Sequence, residues 1–204
     1  MTIKHTGRAA LAAALAALSV WGATSVTASP FEHKGHKSHG KIDRQLTRQL
    51  AQMRVATAKY ATNLEQAKAD GYRIITPNMT DMGFHYLNPG IADFDVTKPP
   101  ILVYARRDGR HQLVALEWVF PSKPKKPPLK GARYGSFPAA CHYDDGTFTP
   151  AASEADCAPT SPETGTPFVF WHPKLVTLHV WVWYPNPDGL YNPTNPLVRP
   201  FNGG

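Results

Sequence analysis

The stretch ILVYARRDGRHQLVALEWVF, residues 101–120, decides the fold. Two runs rich in Val, Leu and aromatic residues, Ile101–Arg107 and Arg110–Phe120, flank the dipeptide Asp108-Gly109. Asp-Gly is a favoured two-residue hairpin loop, because both positions tolerate the positive φ that matches strand twist. In the second run Leu113, Ala115 and Val119 share the parity of Glu117, while Val114, Leu116, Trp118 and Phe120 point the other way. Both faces are therefore apolar, and such a strand belongs inside a sheet with cover on each side. Its one carboxylate, Glu117, points into covered space. Burying an ionised carboxylate without a partner costs several kcal/mol. Glu117 must be neutral, paired with Arg106, Arg107 or a helix amino terminus, or bound to a metal.

Outward from the hairpin, LVTLHVWVWY (175–184) reads as a second inner strand. Val176, Leu178, Val180 and Val182 make an aliphatic face, and Thr177, His179, Trp181 and Trp183 an aromatic one that carries a single imidazole. Residues 72–76 read as a short strand stopped by Pro77, and MGFHYLNP places His85 ahead of an Asn-Pro-Gly turn. Before these, Leu46, Leu50, Met53, Thr57, Tyr60, Leu64 and Ala67 recur in steps of four and three. That stripe predicts one long helix over 43–69, about 39 Å of it, with Asp43 as N-cap and Gly71 as its stop. The expected fold is α+β: this helix packed on an antiparallel sheet of about five strands, with a partly closed barrel as the alternative. Residues 134–173 read as mostly irregular.

The chain has 204 residues and a net charge of +7. Residues 1–28 read as an export signal, with Lys4 and Arg8 ahead of an apolar stretch and a small-residue cleavage site at Val26-Thr27-Ala28. The stretch is too short to span a bilayer, and no later segment is long enough. Residues 29–42 read as a disordered His/Lys-rich linker in which His33, His36 and His39 could hold metals loosely. Residues 43–204 form the expected globular domain, placed outside the cytoplasmic membrane. Cys141 and Cys157 bracket a polar loop, and an exported chain with this pair is expected to form a disulfide.

His85, Glu117, His142 and His179 are the candidate metal ligands, with His172 as a reserve ligand or a donor behind them. Three imidazoles and a carboxylate suit Zn, Mn, Fe or Cu. The spacing is long-range, so convergence is a matter for the fold. The sequence holds no G-x-S-x-G elbow, Gly-rich phosphate loop or haem-attachment motif. No basic-aromatic stripe points to nucleic acid. The alternative function is a non-enzymatic envelope protein whose Pro-rich loop binds anionic polymer through Lys123, Lys125, Lys126, Lys130 and Arg133. A small-molecule ligand or that polymer is the expected partner.

The segments AKADGY, MGFHYLNP, LVALEWVFP, ACHYDDGTF and LHVWVWYPNPDGLYNPTNP resemble a family of uncharacterised exported bacterial proteins. The chain is more distantly similar to plant oil-body-associated proteins, where a histidine segment, a Glu-aromatic strand end, a later histidine and a His-x-Trp follow in the same order. That resemblance implies His85, Glu117, His142 and His179 as the matching positions. It brings no activity with it.

Overall fold

The structure, a computed structural model, describes residues 43–202. The export-signal and linker readings lie outside these residues. The chain opens with α1 (Arg44–Thr57), then a 3₁₀ turn (Ala58–Tyr60) and α2 (Leu64–Ala69). Strands β1 (Arg73–Ile74), β2 (Phe84–Leu87), β3 (Ile101–Arg107), β4 (Arg110–Phe120) and β5 (Gly135–Phe137) follow. Next come β6 (Ala140–Tyr143), β7 (Phe148–Pro150), β8 (Phe168–His172), β9 (Leu175–Val180) and the short α3 (Arg199–Asn202). Six strands form an antiparallel sheet in the order β1-β2-β3-β4-β9-β5, and three form a second sheet, β7-β6-β8. Neither sheet closes into a barrel.

The expected long helix is broken. Asp43 does cap α1, accepting the Leu46 N–H at 2.8 Å. At Thr57, however, the hydroxyl donates back to the Met53 carbonyl at 2.7 Å, and the backbone leaves helical ψ. Thr57 also accepts the Trp183 indole N–H at 2.9 Å, so a tertiary contact holds it there. Asn63 then restarts the helix by accepting the Gln66 N–H at 3.0 Å. Side chains that bond the local backbone compete with helix continuation, and here they win twice.

The hairpin forms as read. Asp108 and Gly109 both adopt positive φ, 49° and 74°. A bulge opposite Val103 and Tyr104 alters the parity along β4. Val103 pairs with Ala115 and Tyr104 with Leu113, so Val114 is the extra residue. Its carbonyl accepts the N–H groups of Trp183 and Tyr184 at 3.3 and 3.1 Å. As a result Leu113 joins Leu116, Trp118, Leu178 and Met53 in the core beneath the helices, while Val114 and Ala115 join Ile101, Val103 and Trp181 on the other face.

That second face carries the polar side chains. A row of register partners runs Leu87, Ile101, Glu117, His179 across β2, β3, β4 and β9. His85 stands two residues along β2 from Leu87, on the same face. Gly83 makes its approach possible: φ is 112°, and a Cβ there would overlap the Tyr104 carbonyl. The second sheet, which the sequence reading leaves irregular, is fastened by the Cys141–Cys157 disulfide.

Candidate metal centre

Glu117, His85 and His179 come together on the inner face. All three are buried, at 5, 3 and 2% exposure. One ligand atom from each can be chosen so that all lie within 4.8 Å of one another. His85 Nε2 is 3.6 Å from Glu117 Oε2 and 3.4 Å from His179 Nε2. His179 Nδ1 is 3.5 Å from Glu117 Oε1 and makes no hydrogen bond. Two ligands held about 2.1 Å from a tetrahedral ion stand about 3.4 Å apart. The His85 Nε2–Glu117 and His179 Nδ1–Glu117 separations are close to such an edge, and a single set of one atom per residue spans up to 4.8 Å, so the side chains would have to draw in around an ion.

Supporting bonds orient the rings. Thr76 Oγ1 accepts the His85 backbone N–H at 3.1 Å and lies 2.9 Å from His85 Nδ1. With Nδ1 engaged there, Nε2 is the atom presented to Glu117. Thr177, in the strand beside Glu117, has a hydroxyl that favours the charged form of the carboxylate. Arg107 meets Asp108 instead, and Arg106 is five residues from Ile101, the register partner of Glu117, which is about 17 Å along the strand. Neither arginine supplies the charge.

Burial governs the protonation of the group. It pushes Glu117 up to about 8, partly offset by the Thr177 hydroxyl. It holds His85 down to about 4 and His179 well below the ordinary imidazole value, where the nearby His85 adds to the effect. Without a cation the three groups favour neutral forms. A divalent ion would reverse the preference of Glu117, since a bound cation is the largest local charge in such a site.

His142 stands apart from this group and contacts His172 instead, Nε2 to Nε2 at 3.0 Å. The triad and the His142–His172 pair line one cavity of about 270 Å³, whose walls are mainly apolar and include Met79, Met82, Phe137 and Phe170. His172, the reserve ligand or donor of the sequence reading, stands against His142 on the cavity wall. The signal was present in FVFWH, where Phe168, Phe170 and His172 alternate onto one face.

The basic loop reads differently. Lys123, Lys125, Lys126, Lys130 and Arg133 are all exposed, and the buried Leu129 anchors the segment. Lys130 pairs with Asp43 at 2.7 Å, and Lys123 lies over the Tyr134 ring. No helix among the described residues is long and apolar enough to cross a membrane. Comparison with family models, with curated proteins and with solved structures finds no match to this chain.

Proposed function

We propose that this chain is an exported protein that binds one divalent transition-metal ion through His85, Glu117 and His179. The observation that carries the reading is the convergence of three buried ligand atoms within 4.8 Å from three separate strands. The unbonded His179 Nδ1 and the Glu117 carboxylate, which would otherwise have to stay neutral, both fit an ion between them. Two imidazoles and one carboxylate suit Zn²⁺ and its neighbours in the first row. The Cys141–Cys157 disulfide accords with an oxidising compartment.

Three protein ligands leave a coordination position free, the arrangement typical of metal sites that act on a ligand rather than only brace a fold. An ion there would act as a Lewis acid toward a group presented from the cavity. The chain's own contribution is to shape and dry the space: apolar walls admit a small molecule with an apolar body and one metal-seeking oxygen or nitrogen. Thr76 holds the His85 ring in place, and the Thr177 hydroxyl favours the charged form of Glu117.

Reconstitution with Zn²⁺ followed by elemental analysis tests the reading. The full chain should retain an ion that His179→Ala loses. Equal metal content in the two proteins rejects it.

A further inference from the structure

His142 and His172 face each other in a way that two neutral imidazoles cannot satisfy. His142 Nδ1 lies 2.7 Å from the Ile75 carbonyl, and His172 Nδ1 lies 2.7 Å from the Pro173 carbonyl. A carbonyl oxygen only accepts, so each Nδ1 carries the proton and donates it. In a neutral ring the opposite nitrogen then holds a lone pair. The two Nε2 atoms are 3.0 Å apart, lone pair toward lone pair, so a positive species must stand between or beside them.

A proton is one such species, and the surroundings oppose it. His142 is 2% exposed and its ring lies flat against Phe170, with centroids 4.6 Å apart and planes 7° from parallel. Phe148 and Phe137 close two further sides. The packing also prevents the ring from turning its lone pair away. Ladder register explains the meeting: His142 pairs with Phe170 and Ala140 with His172, so the two histidines are diagonal neighbours on one face of the second sheet.

We infer that His142 Nε2 and His172 Nε2 form a second cation site, on the cavity wall, suited to a late first-row divalent ion such as Cu²⁺. Two nitrogens about 2.0–2.1 Å from an ion and separated by 3.0 Å subtend an angle near 90°, the cis angle of tetragonal rather than tetrahedral coordination. The tautomers are already those that ligation needs, with both outer nitrogens bonded to carbonyls. His172 is only half-buried, which gives solvent ligands and the ion a way in. The site stands independently of the His85–Glu117–His179 group.

The test is Cu²⁺ binding by equilibrium dialysis of the full chain, its His172→Gln variant and its Glu117→Gln variant, with electron paramagnetic resonance of each. His172→Gln should hold one copper fewer than the parent and lose a tetragonal signal with nitrogen hyperfine structure. The amino-terminal histidines are the same in all three proteins and cancel in the difference. Glu117→Gln should keep that signal, so failure of the other site is read separately. An unchanged copper count and spectrum in His172→Gln would overturn the inference and leave a shared proton between the rings.

Discussion

Glu117 and His179 are direct register partners on neighbouring strands, and the carboxylate lies 3.5 Å from an imidazole nitrogen that bonds to nothing else. Two potential ligands are thus placed by backbone pairing rather than by loop conformation. A site built on paired inner strands is stiff, and stiffness is what a metal's preferred geometry requires. His85 arrives from a third strand and completes a triad that no local motif announces.

Replacing Glu117 with Gln separates a metal ligand from a merely buried acid. Gln has the shape of the neutral carboxyl but cannot ligate as an anion. Glu117→Gln is expected to fold, to lose the bound ion, and to be at least as stable as the metal-free parent at pH 8. Elemental analysis and thermal melts check both halves. A variant that keeps its metal would show that the carboxylate is not a ligand.

Metal uptake should strengthen as pH rises. Burial pushes Glu117 up to about 8, so its carboxyl is mostly protonated at pH 7, whereas His85, held down to about 4, is already neutral. Binding at pH 7 is expected to release about one proton, from Glu117. Calorimetric titration in two buffers of different protonation enthalpy measures that number. The metal-free fold should show the opposite slope on the alkaline side. Folded Glu117 keeps a proton that the unfolded chain loses above the ordinary carboxyl range, so stability falls as pH rises through about 8. On the acid side the buried imidazoles dominate, with His179 acting in the same direction as His85 and His142. Unfolded imidazoles take up protons below about 6.5 that the folded rings refuse until about 4, so stability falls as pH drops through that window. The metal-free Tm is expected to peak roughly between pH 6 and 7.

Part of this design was legible from residue order alone. The hairpin announced itself through Asp108-Gly109, the N-cap through Asp43, and the candidate site through one charge in an apolar strand. These are local signals. The division of the histidines was not legible, because it depends on which sheet each strand joins, and β5 to β8 are only three to five residues long. Strands that short, separated by Pro, Gly and Ser, give no period to read. The bulge at Val114 likewise inverted the expected facing of Leu113, and the helix broke at a threonine whose indole partner lies 126 residues away.

The disulfide should stabilise the fold through the second sheet. Cys141 and Cys157 are 16 residues apart, and closing a loop of that size contributes about 3 kcal/mol in the chain-entropy model. The double substitution Cys141→Ser with Cys157→Ser is expected to lower unfolding free energy by about that amount in denaturant titration. The triad sits on the six-stranded sheet, so its ion should be retained. Loss of triad metal at full fold content would mean that the second sheet holds the centre in place.

Thr76→Val removes the hydroxyl beside His85 Nδ1 and keeps the side-chain shape. Groups that orient a ligating imidazole typically contribute 10–100-fold to metal affinity, so a loss of about that size is expected in competition with a chelator. The melting temperature of the metal-loaded protein should fall with it.

Gly135 offers a route to the same centre from the far side. It pairs with Thr177 across β5 and β9, and a Cβ at Gly135 would stand 2.8 Å from Thr177 Oγ1, closer than real side chains approach. The obstacle is the tip of a side chain, so Gly135→Ala should fold with Thr177 turned aside. Glu117 then loses the one hydroxyl that favours its charged form, and its carboxyl is held protonated to higher pH. The pH midpoint of metal uptake should move upward in Gly135→Ala, and Thr177→Val should reproduce the move. If Gly135→Ala shifts the midpoint and Thr177→Val does not, the hydroxyl is irrelevant and the glycine acts on the cavity wall instead.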